Sequence, residues 1–325
     1  MHILFSCNSH YVMPLSVCLT SLLEHNTKND IHVYLLHSDV TEAQQKIIKN
    51  LVEKYHQKIS IIHVNDTYFA EAPALRWSKE TYYRLLLGEL LPENLDRLLY
   101  LDVDIIIQKP LEELYWMSLD KNMIAALPEH GNDTVAFRTR LGLDPDGTYY
   151  QAGVLLFDVP KVKTILNYNT AMQTIRLLGK NLIAVDQDVL NVMFDGKITP
   201  INTKFNNCEI TRFNDSNWQR FCNHVDTKEF KETYIFHYAS SKPWNNLFFG
   251  SCENLWYQYL KQSPYAYLYN QKFNTVRYKI LRMGVTKVLL YEYAYLTPFI
   301  NHAGEMLLPS SLYDSAKKFY RNHIK

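Results

Sequence analysis

The sequence predicts an α/β domain with a mainly parallel sheet flanked by helices, followed by a helical, basic-aromatic appendage. Three observations carry this reading. Short apolar runs alternate with amphipathic helical stretches from the first residues onward, the pattern of a parallel sheet with crossover connections. The chain has 325 residues and is 47% hydrophobic, enough for one large core. Charge is unevenly spread: residues 261–325 hold ten Lys and Arg against three Asp and Glu, a net +7, and the other 260 residues hold 24 against 30, a net −6. A main domain over residues 1–260 and a tail over 261–325 follow.

Ile3 to Ser6 forms the first strand, and Cys7 to Tyr11 a polar loop after it. Pro14 sits in the first turn of a helix whose apolar face is Leu15, Cys18, Leu19 and Leu22. Ile31 to Leu36 is the second strand. Thr41, with Gln44 three residues on, has the form of a capping box and opens a helix to about Tyr55. Ile59 to Val64 is the third strand. Ser78 or Thr81 caps a helix carrying Arg84 to Leu87. Arg97 to Gln108 reads as one buried strand interrupted by Asp102 and Asp104. Met123 to Leu127 and Tyr150 to Phe157 are further strands, with Gly153 inside the latter where a backbone approaches something closely or bulges. Residues 129–148 between them are polar and rich in turn signals, a loop long enough to act as a lid. Asp186-Gln187-Asp188 opens another helix, where acidic residues ordinarily complement the helix dipole. Tyr234 to Phe236 is a late short strand.

After Ser263, Tyr265, Tyr267, Tyr269, Phe273, Tyr278, Tyr291, Tyr293 and Tyr295 interleave with Lys272, Arg277, Lys279, Arg282 and Lys287. This composition fits a helical tail on an anionic membrane surface. The alternative is a helix packed on the main domain with a solvated basic face. The overall net charge of +1 argues against a generic nucleic-acid binder. Five scattered cysteines, Cys7, Cys18, Cys208, Cys222 and Cys252, contain no Cys-x-x-Cys and fit reduced core thiols. No signal-peptide pattern opens the chain and no apolar run reaches about 18 residues. A cytoplasmic protein, peripheral on the inner face of the plasma membrane, is the expectation. Oligomeric state is not legible.

The chemistry starts at Asp102 and Asp104. In an extended segment residues two apart share a side, so the pair is positioned to hold one cation. Hard oxygen ligands suit Mg²⁺, Mn²⁺ or Ca²⁺. For so short a pattern the alternative is an acidic strand end neutralised by Lys or Arg. His237 ends the last strand, and as a third ligand it favours Mn²⁺ over Mg²⁺. Lys242 and Arg84 would complete a clamp for a diphosphate. Neither a Gly-x-x-x-x-Gly-Lys-Ser/Thr nor a Gly-x-Gly-x-x-Gly occurs, which argues against kinases and dehydrogenases. An aspartyl-phosphate phosphatase would want Thr two residues past the second Asp, and that position is Ile106.

Six elements then occur in a recognisable order: the first strand with Asn8 and Tyr11; Thr81-Tyr82-Tyr83-Arg84-Leu85; Leu99-Tyr100-Leu101-Asp102-Val103-Asp104; Tyr150-Gln151-Ala152-Gly153-Val154; Asp186-Gln187-Asp188; and His237 through Trp244. Over roughly residues 1–250 the sequence resembles glycosyltransferase family 8. This retaining group includes bacterial lipopolysaccharide α-galactosyl- and α-glucosyltransferases and, more distantly, glycogenin. The resemblance implies a GT-A fold and a UDP-hexose donor, with glucose and galactose both open, and a glycan or glycolipid acceptor. It implies that Asp102, Asp104 and His237 hold Mn²⁺, with Mg²⁺ as the alternative. It implies that Ser6 and Asn8 meet the uridine, that Tyr11 stacks on the base and that Lys242 meets the phosphates. Arg84, Asp102, Asp186 and Gln187 would position the hexose, and Val103, Gln151, Ala152 and Ser240 would complete the donor site. Gln187, Asp186 and Arg84 would be the catalytic set. Because a glutamine amide is a poor nucleophile, front-face attack through an oxocarbenium-like state is preferred to double displacement.

Three departures stand out. Gln151 occupies a position where bacterial members often have Asn, and His10 replaces a common Asn. The closing motif takes five steps from His237 to Lys242, with Ser240 in place of a Gly. Acceptor contacts are expected around residues 129–148 and 205–225. A glycogenin-like self-glucosylating enzyme and a non-catalytic nucleotide-sugar-binding protein are the competing readings.

Overall fold

The computed structural model of the chain describes residues 1–275, apart from 66, 76, 130–132, 212–227, 241 and 246–251. The expected acceptor contacts within 212–225, and the tail from residue 276 onward, lie outside the described residues. Clustering of the backbone divides the chain into two compact units, Met1–Ala266 and Tyr267–Lys325. In the second, a wide helical turn spans Tyr269–Phe273.

The first unit is built on a seven-stranded sheet. Its strands are β1 (His2–Cys7), β2 (His32–His37), β3 (Lys58–His63), β4 (Arg97–Leu101), β6 (Ile124–Pro128), β7 (Tyr150–Asp158) and β8 (Ile198–Pro200). Their order is β3-β2-β1-β4-β7-β6-β8, and only β7 runs against its neighbours. A separate antiparallel ribbon pairs β5 (Ile105–Ile107) with β9 (Ile235–His237). The α-helices through Met193 are α1 (Val12–His25), α2 (Glu42–Lys54), α3 (Leu87–Leu90), α4 (Glu112–Tyr115), α5 (Thr134–Arg140), α6 (Val159–Lys163), α7 (Tyr168–Leu178) and α8 (Val185–Met193). The mainly parallel sheet flanked by helices expected from the sequence is the one found.

Successive strand residues point to opposite faces, and both faces are covered. Leu4, Tyr34, Leu98, Tyr100, Leu155 and Phe157 pack into one core with residues of α7 and α8. Ile3, Phe5, Leu35, Leu99, Leu101, Val154 and Leu156 pack into another with residues of α1 and α2. The capping box read at Thr41 is present: the Thr41 hydroxyl accepts from Gln44 N–H, and Gln44 Oε1 accepts from Thr41 N–H.

Three expectations need correction. Arg97–Gln108 is not one strand: β4 ends at Leu101, the chain bends through Asp102–Asp104, and β5 enters the second ribbon. The two carboxylates therefore do not share a face by strand alternation; β7 and β9 place them separately. The Arg84 segment is a 3₁₀ helix over Lys79–Leu86, and neither expected side chain caps it. Ser78 makes no capping bond, and the Thr81 hydroxyl donates back to Ser78 O at 2.8 Å. The polar segment 129–148 is not wholly loop, since α5 lies inside it. Cys7, Cys18 and Cys208 are buried, as expected for core thiols, whereas Cys252 is only partly buried and Cys222 lies outside the described residues; no disulfide is present among the described residues.

Candidate active site

The C-terminal ends of β1 and β4, the 3₁₀ helix Lys79–Leu86, β7, the start of α8 and the end of β9 enclose a cavity of about 750 Å³. Every sequence-predicted site residue except Ser240 lines it: Ser6, Asn8, Tyr11, Arg84, Asp102, Val103, Asp104, Gln151, Ala152, Asp186, Gln187, His237 and Lys242. Ser240 is exposed and outside that lining.

Pairing fixes the two carboxylates. The register Leu101↔Val154 carries Asp102 onto Gly153, whose carbonyl accepts from Asp102 N–H at 2.9 Å. The register Ile105↔His237 carries Asp104 to the end of β9, where Tyr238 N–H donates to Asp104 O at 2.9 Å. His237 Nε2 lies 3.2 Å from Asp104 Oδ1 and 3.7 Å from Asp102 Oδ2. Ligand atoms of all three residues fall within 4.8 Å of one another.

Arg84 anchors the other side of Asp102. It donates from NH2 to Asp102 Oδ1 at 2.9 Å, from NH1 to Ala152 O, and from Nε to Thr81 O at 3.0 Å. Its guanidinium carbon lies 3.9 Å from the centre of the Tyr100 ring. Tyr100 OH donates to Asp102 Oδ1 at 2.8 Å and receives the Ser6 hydroxyl at 3.2 Å. Lys242 ion-pairs with Asp104 Oδ2. Burial alone would raise the Asp104 carboxyl, but Lys242 and His237 outweigh it and hold it well below the usual range. Neutralisation by Arg and Lys, the alternative for the Asp-x-Asp pattern, is thus partly realised.

It does not satisfy everything. Among the described residues, two buried side-chain polar atoms have no hydrogen-bond partner, Asp104 Oδ1 and Asp186 Oδ2, and both belong to this cavity. His237 Nδ1 lies 2.8 Å from Asn206 Oδ1. Asn206 Nδ2 in turn donates to Gln151 Oε1 at 3.0 Å, which orients the Asn206 amide with its oxygen toward the histidine. His237 Nδ1 therefore donates to Asn206, which leaves Nε2 as the nitrogen that faces Asp104 Oδ1. One ring nitrogen and two carboxylates gathered within 4.8 Å of one another suit a divalent ion.

Asp186 Oδ2 lies 3.0 Å from Arg84 Nε, whose single hydrogen goes to Thr81 O. Burial pushes the Asp186 carboxyl well above its ordinary value, against the pull of Arg84. Asp186 Oδ2 is thus left buried and without a hydrogen-bond donor at the edge of the cavity. Gln187 Oε1 accepts from Ala152 N–H at 3.1 Å, and its amide bonds to Tyr149 OH. Asp188 closes this wall. It receives both Arg140 terminal nitrogens at 2.8 and 2.9 Å, Tyr149 OH at 2.6 Å, and the N–H groups of Ile183 and Ala184 at 2.8 Å. That grip holds Val185 at φ +37°, a strained value for a β-branched residue. The acidic trio is therefore more than a dipole complement.

Sequence reasoning missed Tyr100, Asn206 and Glu80. Tyr100 was visible as an aromatic two residues before Asp102. Asn206 and Glu80 offered no signal, because their partners are 31 and 72 residues away.

Comparison with known proteins agrees with this geometry. The chain belongs to glycosyltransferase family 8, whose family model, "Glycosyl transferase family 8", matches residues 2–247. It is 29% identical over 210 residues to a putative glycosyltransferase of Haemophilus influenzae, covering 63% of each chain and so less than two thirds of that relative. It is 23% identical over 251 residues to a lipopolysaccharide 1,2-glucosyltransferase of Escherichia coli K12, covering 75% of this chain and 73% of that one. The crystal structure of the galactosyltransferase LgtC with donor and acceptor sugar analogues superposes with a TM-score of 0.69. That match has 22% identity and covers 81% of this chain and 96% of that one.

Proposed function

We propose that the protein is a retaining hexosyltransferase that moves glucose or galactose from a UDP-sugar to a hydroxyl of a cell-envelope glycan or glycolipid acceptor. One observation carries this reading: the Asp102–Asp104–His237 donor set and the Arg84–Asp186–Gln187 set line the same cavity, and the two unpartnered carboxylate oxygens divide between them. Asp102, Asp104 and His237 would hold Mn²⁺, or Mg²⁺ in its absence. When bound, that ion offsets negative charge on the departing diphosphate.

The remaining roles belong to the chain. Lys242 exchanges its bond to Asp104 for one to the phosphates. Asp186 Oδ2 accepts a hexose hydroxyl, and Arg84 holds Asp102 and Asp186 in place. Gln187 Oε1, oriented by Ala152 N–H, presents a carbonyl dipole to the positive charge developing at the anomeric carbon. Front-face attack needs no protein nucleophile there, and an acceptor proton passes to the departing diphosphate. Acceptor choice in envelope synthesis is supported by the lipopolysaccharide glucosyltransferase relative. The net +7 over residues 261–325 supports contact with an anionic membrane surface. Among the described residues no helix is long and apolar enough to cross a membrane.

The test is a screen of UDP-hexoses for Mn²⁺-dependent UDP release, with and without glycan acceptors. Release with UDP-glucose or UDP-galactose is expected. Failure to release UDP from any hexose donor, with either Mn²⁺ or Mg²⁺, would leave only a binding function.

A further inference from the structure

Glu80 lines the cavity but takes no part in the chemistry above. It is only 7% exposed. Its Oε2 accepts from Asn8 Nδ2 at 3.3 Å, and its Oε1 accepts from the Ser38 hydroxyl. None of the ion pairs among the described residues includes it. An ionised carboxylate offers about four lone-pair sites. Its two donors occupy one lone-pair site on each oxygen and leave the other sites open. Its position on the cavity wall gives a ligand access to the remaining sites.

Asn8 is partly committed within the protein. Its Oδ1 accepts from His10 N–H at 3.1 Å, while its Nδ2 goes to Glu80. The side chain expected to meet the nucleoside is turned onto Glu80 and aims it. Glu80 and Arg84 share the 3₁₀ helix Lys79–Leu86, where four residues rise about 8 Å. Arg84 binds Asp102 at the cation end, whereas Glu80 sits against the loop carrying Asn8 and the half-exposed ring of Tyr11. With the diphosphate at the cation end, the nucleoside falls beside Tyr11 and Glu80.

We propose that Glu80 accepts a hydrogen bond from the nucleoside of the donor, either the imide N–H of the base or a ribose hydroxyl. This rests on the nucleotide-sugar reading and deepens it. Glu80, held by Asn8, then carries affinity for the nucleoside.

The experiment is calorimetric titration of the full chain and Glu80→Gln with UDP, 2′-deoxy-UDP, 3′-deoxy-UDP and N3-methyl-UDP, alongside ADP, CDP and GDP, all with Mn²⁺. The wild-type chain is expected to lose about tenfold or more in affinity for the one analogue lacking the donated hydrogen. Glu80→Gln is expected to lose a similar factor for UDP and nothing further for that analogue. The analogue that shows this coupling identifies base or ribose as the source. Additive losses for all three analogues, or unchanged UDP affinity in Glu80→Gln, would overturn the proposal. If Glu80→Gln does not fold, Glu80→Asp is read on the same series by the same criteria. If the wild-type chain prefers another nucleotide, the UDP reading falls, and Glu80 is judged on that nucleotide's own deoxy and N-methyl analogues. Binding of no nucleotide overturns both.

Discussion

A methyl group on Gly153 would lie 2.3 Å from His237 Cε1 and 3.0 Å from Asp102 Oδ2. Glycine is required there because β7 passes directly beneath the Asp102–Asp104–His237 corner, and a real Cβ essentially never sits within 3 Å of another heavy atom. Gly153→Ala is expected to push His237 off Asp104 or shift β7, at a cost of about 1–3 kcal/mol as in other overpacked sites. Thermal melts should show a lower midpoint. Added Mn²⁺ with UDP should raise the wild-type midpoint and leave that of the variant unmoved. A variant that responds to Mn²⁺ like the wild type would mean His237 is dispensable for the ion.

Asn206 orients His237 from behind, so its removal separates ring orientation from ligand identity. Asn206→Ala keeps all three ligands but frees the imidazole to change tautomer. Loss of a partner that orients a ligand typically weakens metal binding about 10–100-fold. Titration of Mn²⁺ by electron paramagnetic resonance should find a loss in that range. The variant also leaves Gln151 Oε1 with only the weak Cys208 thiol as donor, so a stability loss of about 1 kcal/mol accompanies it. Unchanged Mn²⁺ affinity would argue that the ion, if bound, does not use His237.

Much of this site was legible in the sequence because its parts are local motifs. Asp102 and Asp104, Asp186 and Gln187, and His237 each end or begin an element, and ligands in open α/β sheets gather at the carboxyl ends of strands. The strand alternation argument nevertheless gave the wrong reason for the Asp pair. A bend at Val103 replaces alternation, and two different partner strands set the two carboxylates. The helix expected around Arg84 is 3₁₀, since capping residues announce a helix start but not its winding. Asn206, Glu80 and the Asp188–Arg140–Tyr149 grip were illegible for a different reason. They act through contacts between distant segments, and nothing in the local sequence marks an Asn or Glu for such a role.

Gln187 distinguishes transition-state stabilisation from donor binding. Its carbonyl is fixed by Ala152 N–H, whereas Asp186 Oδ2 has no hydrogen-bond partner. Gln187→Ala is expected to lower kcat on the order of 10²-fold, as loss of a preorganised dipole does. Affinity for UDP, measured by calorimetry, should stay within about twofold, well under 1.4 kcal/mol. Loss of UDP binding along with turnover would reassign Gln187 to the binding of the leaving group.

Asp188 makes an acid-sensitive contribution to the same wall. Burial alone would raise its carboxyl, but hydrogen bonds from Arg140, Tyr149 and the Ala184 and Ile183 amides hold it below the ordinary carboxylate value. A carboxyl depressed in the folded state contributes stability that is fully present above its unfolded value, about 3.9, and is lost as pH falls through its folded value. Asp188→Asn should therefore destabilise the chain at pH 7 by about 3–5 kcal/mol, because it leaves Arg140 without its buried counter-charge. The gap between the variant and the wild type should stay constant from pH 7 to about 5 and narrow as pH drops through 4. Urea unfolding across that range measures it. A gap that does not change with pH would mean that Asp188 holds the strained turn at Val185 through hydrogen bonds that the asparagine also makes. Charge would then play no part in shaping the wall that carries Gln187.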